Sequence, residues 1–517
     1  MPTPFSFPWQ ADAGDGTYRN PILHADYSDP DVIRNGDDFY LIASSFNCTP
    51  GLPILHSRDL VNWTIINHAI KNVPHPRYRE VQPGCGVWAP SIRFHAGKFW
   101  IFFPMPDEGI YLTTAENPAG RWSEPHLVQE AKGWIDPCPF WDDDGQAYLV
   151  HAYANSRAGK RDKLHVRPMA PDGSRLLGEG RIVVDAPHHP SLEGPKFHKL
   201  NGWYYLLAPG GGVSSGWQVA FRSHNIYGPY EEKIVLEQGS TKINGPHQGA
   251  LIDLPNGEWW FLHFQDAGPF GRITHLQPVK WQDDWPLMGV DYDGNGVGEP
   301  VATSRKPAVA AATGPVAVPQ TSDEFDGPKL GLQWQWHANH EDSWCSLTAR
   351  TGYLRLFPQP APAGGDLGRA PNLLMQKFPA RLFTVETALD FSSGKDGETA
   401  GLVVMGGGAY ASLALIHAPE GNQLVLQING EPYLKTAAPA GEVRLRIAVD
   451  ETAKCTFCFA LPNAPFTALE KMFQAREGGW IGAKVGLFAM AAGAGGTPSS
   501  HADFSYFRFL EQQPAGT

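Results

Sequence analysis

Residues Ser191 to Leu207 read SLEGPKFHKLNGWYYLL. A carboxylate, Glu193, stands before a glycine and a proline. A short strand-like run follows, an Asn-Gly pair turns the chain, and an aromatic run returns it. Asn-Gly between two such runs is the sequence signature of a tight hairpin. The same order recurs four times. Asp29-Pro30 leads into DVIRNGDDFYLIA, Ala89-Pro90 into SIRFHAGKFWIFF, Asp136-Pro137 into CPFWDDDGQAYLV, and Gly245-Pro246 into HQGALIDLPNGEWWFL. Each hairpin turn is rich in Gly, Asp or Asn, and each returning strand carries Tyr, Phe or Trp. A third and sometimes a fourth strand follows, as in GIYLTTAEN and WQVAFRSHN. A period of roughly 50–60 residues with about four strands per unit marks a β-propeller. Five units predict five blades over about residues 18 to 300. Unrelated hairpins in a sandwich would have no reason to repeat the x-Pro corner.

In a propeller the innermost strand of each blade lines a central channel, so residues at the entrances of these strands converge on one funnel. The corners offer Asp29 from blade one, Trp88 from blade two, Asp136 from blade three, Glu193 from blade four and His247 from blade five. Proline disfavours helical backbone in the residue before it, so Asp29 and Asp136 are predicted to be extended. Gly194 is expected to let the backbone bend close to a bound ring.

Three converging carboxylates have two chemical uses. They can supply hard oxygen ligands to calcium. They can also hydrolyse a glycosidic bond with inversion, one as a protonated acid and one as the base for water, about 6.5–9.5 Å apart. A third carboxylate beside the acid raises its pKa by like-charge repulsion. One Glu and two Asp fit acid, base and modulator.

The segments SDPDVIR, WIDPCPFW, LEGPKFHKL, GPHQGALI and GRITHLQPVKW resemble the motif set of glycoside hydrolase family 43, whose catalytic domain is a five-bladed propeller. SDEFDGPKLGLQWQW, SLTARTGYLRL and ADFSYFRF resemble the β-sandwich (jelly-roll, concanavalin A-like) of its β-xylosidase/α-L-arabinofuranosidase branch. By position, the resemblance implies Asp29 as general base, Asp136 as modulator of the acid's pKa and Glu193 as general acid. It implies Arg272 as a donor to sugar hydroxyls, Phe46 and Trp88 as pocket walls, and Trp480, in GGWIGAKVGL, on a sandwich loop that narrows the site. His247 matches a channel histidine that in relatives faces a water-coordinated calcium; the sequence leaves occupancy of that structural calcium open. The first motif also holds Asp26 and Asp31, and Asp31 stays an alternative to Asp29.

The implied function is an exo-acting inverting hydrolase releasing terminal β-1,4-xylose, α-L-arabinofuranose or both from xylooligosaccharides and arabinoxylan fragments. Water is the attacking species, so no cofactor is required for the chemistry. The alternatives are an arabinan-cleaving enzyme and a catalytically inactive carbohydrate-binding propeller. Retaining fructosidases also use five blades, but their acid and nucleophile contexts differ from Glu193-Gly194-Pro195 and Ser28-Asp29.

An all-β chain of a propeller followed by a sandwich is therefore expected. The domains predicted are the propeller over 1–300, a linker over 301–320 and the sandwich over 321–517. The linker reads VATSRKPAVAAATGPVAVPQ, and short alternating runs follow, such as YLRLF, YASLALIH and VRLRIAV. Formal charge is −12 with no basic stripe, which argues against a nucleic-acid partner. No apolar run reaches membrane-spanning length. MPTPFSFPWQADAGDG lacks the basic and apolar regions of a signal peptide, so a cytoplasmic location is expected. Whether copies form a homo-oligomer is left open. The six cysteines are scattered apart from Cys455 and Cys458 in CTFCF, which has no second ligand pair for zinc. The turn Asp142–Asp144 lacks full calcium-loop spacing and is expected to be a solvated hairpin turn.

Overall fold

The computed structural model of the chain describes residues 7–309, 315–438, 441–493 and 500–511. Residues 1–6 of the N-terminal reading and 310–314 of the linker reading lie outside them. Five four-stranded antiparallel sheets follow one another along the chain, each pairing its strands in sequence order. Their inner strands are Asp31–Asn35, Ser91–His95, Trp134–Trp141, Lys196–Leu200 and His247–Asp253. These are the five blades.

Blade four shows how local chemistry sets the register. Lys196 pairs with Leu207 and Leu200 with Trp203. The turn residues Asn201 and Gly202 have φ of 51° and 80°. Two consecutive positive φ values suit the right-handed twist of a hairpin, and Asn-Gly adopts them at least cost. Blades pack face to face through apolar side chains. Phe197, Leu206 and Phe221 of blade four meet Ile135, Val150 and Val166 of blade three in one core.

Closure of the ring uses part of the expected linker. Thr303–Arg305 pairs with Thr17–Arg19 as a two-stranded sheet. The Tyr18 hydroxyl donates to Leu276 O at 2.8 Å, and Asn20 donates to Leu276 O and Val301 O. The Lys306 ammonium then bridges Asp12 and Asp59 at 2.6 and 2.8 Å. Further on, Gln320 exchanges hydrogen bonds with the Ile65 backbone. Composition read this stretch as a linker, and its described parts are pinned to the propeller.

The C-terminal part is a sandwich of an eight-stranded and a seven-stranded sheet around an apolar core that includes Leu402, Leu445, Leu487 and Phe504. The edge strands Glu431–Ala437 and Thr467–Gln474 are largely exposed and carry Lys and Glu. Charge at an edge blocks further strand addition, and it also hides the strand from a hydrophobic reading. Cys455 and Cys458 are free thiols on opposite faces of one edge-side strand. The one α-helix among the described residues is the single turn Asn155–Ala158. No described helix is long and apolar enough to cross a membrane.

The sandwich is locked onto the propeller beside the channel mouth. Thr49 and Trp336 exchange two backbone hydrogen bonds. The Gly482 N–H donates to Asp26 Oδ2 at 3.0 Å, and Ala483 N–H donates to Pro269 O at 2.7 Å. At Gly482 the two backbones nearly touch: a Cβ there would sit 2.6 Å from Gly271 Cα.

Candidate active site

Asp29, Asp136 and Glu193, from blades one, three and four, line one pocket at the channel mouth. Phe46, Trp88, Gln248, Arg272 and Trp480 also line it. Asp31 does not. Its Oδ2 accepts from the Ile92 N–H at 2.8 Å and pairs with Arg93 at 2.7 Å, deeper in the ring.

The two aspartates before proline are not extended. Asp29 has φ of 54° and Asp136 of 56°. A left-handed aspartate is strained by about 1–3 kcal/mol and persists where its surroundings over-determine it. They do so here. Asp29 Oδ2 accepts from the Ser28 and Ser44 hydroxyls at 2.9 and 2.6 Å, and Oδ1 accepts from Arg272 Nη1 at 2.8 Å. Asp136 Oδ2 accepts from the Gly194 N–H at 2.7 Å. The local rule lost to these bonds.

Gly194 has a second reason to be glycine. Its φ is 61°, and a Cβ there would lie 2.5 Å from Gln248 Cγ. The close neighbour is a side chain of blade five. Gln248 itself has φ of 32°, and its amide points to Asp136 Oδ2 at 3.4 Å.

The acids differ electrostatically. Burial, and then the neighbouring Asp136 carboxylate, pushes Glu193 up to about 8, against the opposing pull of Arg272. Burial also pushes Asp136 up to about 7; the Gly194 N–H opposes this and the Asp29 charge adds to it. Both directions follow from desolvation plus like charge. Asp29 is held in place by three donors, from Ser28, Ser44 and Arg272. The Glu193 side chain is 29% exposed into the pocket and so can reach a ligand.

His247 is fully buried beneath the pocket and does not line it. Its Nε2 lies 3.6 Å from Glu193 Oε1. Burial, with the Arg272 cation nearby, pulls its pKa to about 3, so the ring is neutral. Neither ring nitrogen has a hydrogen-bond partner in the protein. Calcium takes 6–8 oxygen ligands, and His247 does not belong to a ligand cluster among the described residues. The orphaned imidazole suits a hydrogen bond to water of a hydrated cation, not direct ligation. Asp142, in the acidic turn, accepts from Tyr204 and pairs with Lys199, as befits a hairpin turn.

The walls are aromatic. Phe46 and Trp88 lie 6.5 Å apart, and Trp88 and Trp480 meet edge to face at 6.3 Å. Trp480, 51% exposed, comes from the sandwich and covers one side of the pocket. The Arg272 guanidinium sits 4.8 Å from the Phe264 ring and 5.7 Å from the Trp480 ring. The motif reading missed three functional contacts. Gln248 follows His247 at the blade-five corner, so the corner pattern could have found it. Ser44 lies two residues before Phe46 and gives no signal. Asp26 joins the domains by accepting from both Arg272 N–H and Gly482 N–H.

Comparison with known proteins bears on this arrangement. Residues 18–286 match the model of glycosyl hydrolases family 43. Residues 322–510 match that of the beta xylosidase C-terminal concanavalin A-like domain. The chain is 50% identical over 367 residues to a protein of Xylanibacter ruminicola, covering 71% of this chain and 67% of that one. It is 33% identical over 533 residues to a beta-xylosidase of Formosa agariphila, covering 92% and 88%. Among solved structures, a family 43 protein of Bacillus licheniformis superposes with a TM-score of 0.83 at 28% identity, covering 96% of this chain and all of the other.

Proposed function

The chain belongs to glycosyl hydrolase family 43, and from that premise we propose that it removes single terminal pentoses with inversion at the anomeric carbon, xylose from β-1,4-linked chains and arabinofuranose from side chains. One observation carries this reading: three acids share a small pocket that Trp480 closes on one side. Such a pocket receives a chain end and refuses a chain middle. Relatives named beta-xylosidase and non-reducing end alpha-L-arabinofuranosidase, the latter from Bacteroides ovatus at 29% identity over 95% of this chain and 94% of that protein, support the choice of sugars.

In this reading Glu193 holds a proton near neutral pH and gives it to the glycosidic oxygen as the C–O bond breaks. Asp29 takes a proton from a water that attacks the opposite face of the anomeric carbon. The proton count closes: one leaves Glu193, one reaches Asp29, and bulk water exchanges them afterwards. Inversion follows because a single displacement occurs. Arg272 orients Asp29 and offers its remaining N–H groups to sugar hydroxyls. Asp136 keeps Glu193 protonated, while Trp88, Phe46 and Trp480 exclude water from the ring faces. A calcium in the channel is part of the proposal: His247 would hold it through its water shell, and the ion would supply positive charge near the pocket.

Asp136→Asn removes the like charge next to Glu193, so the acid's pKa falls. Activity needs that acid protonated, so the basic limb of the pH–kcat/KM profile moves to lower pH. A limb that stays in place contradicts the modulator role.

The exo reading is tested with xylotetraose labelled at its reducing end. The expected early products are xylose and labelled xylotriose, and early xylobiose would overturn it. Trp480→Ala should raise KM by about tenfold or more, the scale of one lost aromatic contact, with a smaller change in kcat.

A further inference from the structure

The inner strand of blade five, His247–Asp253, opens on a bulge. His247 pairs with Phe264 and Gly249 with His263, which leaves Gln248 as an extra residue without a partner across the ladder. A bulge re-aims a side chain that regular alternation would send elsewhere. Gln248 has φ of 32°, is 5% exposed and lines the acid pocket.

Two glycines make room for it. A Cβ at Gly249 would lie 1.6 Å from Leu262 O, and one at Gly194 would lie 2.5 Å from Gln248 Cγ. Packing alone would be served by leucine or methionine, because a buried amide costs free energy unless it is hydrogen-bonded. An amide here points to hydrogen bonding.

Its two polar ends are used differently. Nε2 lies 3.4 Å from Asp136 Oδ2. An ionised carboxylate only accepts, so this contact turns the N–H groups towards Asp136 and the C=O away from it. Oε1 accepts no hydrogen bond among the described residues, yet it is not one of the unpaired atoms sealed from solvent. It keeps open surface on a residue that lines the pocket.

The neighbours leave Oε1 a task. Arg272 can only donate, and Asp29 already accepts from Ser28, Ser44 and Arg272. Gln248 is the one amide or hydroxyl side chain among the described residues lining the pocket. A sugar hydroxyl both donates and accepts, and Oε1 offers it a neutral acceptor. We propose that Gln248 is a specificity-determining residue, which binds one hydroxyl of the terminal pentose through Oε1 while Nε2 holds Asp136. The choice of a pentose rests on the proposed function. A sugar lacking that hydroxyl, or carrying it on the other face, is then rejected.

The test is a cycle of Gln248→Leu against an activated β-xyloside and its three monodeoxy forms. At one ring position, removing the hydroxyl should cost wild type about tenfold more in kcat/KM than it costs the variant. The other two removals should cost both enzymes alike. A merely structural role would lower all four substrates by one factor, and equal costs at all three positions overturn the proposal. A melting curve checks the variant's fold. Wild-type crystals soaked in D-xylose or L-arabinose decide alone if it does not fold: a hydroxyl oxygen about 2.7–3.2 Å from Gln248 Oε1 is expected. Bound sugar that leaves Oε1 to water overturns the proposal. Absent coupling, in an enzyme that still releases xylose from xylotetraose, leaves the proposed function standing. Pentose held by Gln248 in a chain that hydrolyses neither xylosides nor arabinofuranosides supports this proposal and counts against the other. A pocket that takes up no pentose overturns both.

Discussion

Glu193→Ala should lower kcat/KM on an alkyl xyloside or a xylooligosaccharide by about 10³–10⁴-fold, the upper range for general acid catalysis. The loss corresponds to about 4–5.5 kcal/mol of transition-state stabilisation. It should depend on the leaving group. The dinitrophenolate of a dinitrophenyl xyloside departs as a stable anion and needs little protonation, so the loss on that substrate should be far smaller. The basic limb of the pH profile should also vanish in the variant, because that limb reports the Glu193 proton. A uniform loss across leaving groups would move the acid role elsewhere. Stability gives an independent readout. The folded-state pKa of Glu193 is raised to about 8 from the ordinary 4.5, so the folded protein holds this proton more tightly than the unfolded chain. Stability from that proton is present at low pH and is lost as pH rises from about 4.5 to about 8. Glu193→Gln, which never ionises, should therefore melt higher than wild type at pH 8 and nearly the same at pH 4. Equal melting points at both values would show that the carboxyl is not buried at a cost.

Asp29→Ala should lower turnover by a similar factor, about 10³–10⁴, but with no leaving-group dependence, since water activation is needed for every substrate. The variant also leaves Arg272 Nη1 and the Ser28 and Ser44 hydroxyls without their shared acceptor. An anionic nucleophile such as azide needs no base and fits a site left with an unpaired arginine. Added azide should restore part of the turnover of an activated xyloside and yield a glycosyl azide of inverted configuration. Near-normal activity in Asp29→Ala would remove the base assignment. Asp31→Ala differs in kind: its carboxylate anchors Ile92 N–H and Arg93 inside the ring, so it should lower thermal stability.

The propeller was legible because its repeat is written in backbone chemistry. Proline corners, Asn-Gly and Asp-Gly turns and aromatic return strands encode local geometry, and local geometry repeated five times leaves little choice of fold. Convergence of Asp29, Asp136 and Glu193 followed from the topology. What escaped was set by long-range contacts. Thr303–Arg305 reads as linker because its pairing with Thr17–Arg19 spans the whole propeller. Pre-proline rules gave the wrong backbone for Asp29 and Asp136, because side-chain bonds from Ser44, Arg272 and Gly194 outweigh a local preference. Gln248 and Asp26 lie in quoted motifs, but no catalytic role was read for either. Their roles arise only where blade five meets blade four and where the sandwich loop meets the propeller.

The most direct test follows the anomeric proton of the first-formed sugar by NMR, at enough enzyme to outrun mutarotation. From a β-xyloside, α-xylose should appear first and β-xylose only later, as mutarotation proceeds. β-Xylose as the first product would require a covalent intermediate and would contradict single displacement by an Asp29-activated water.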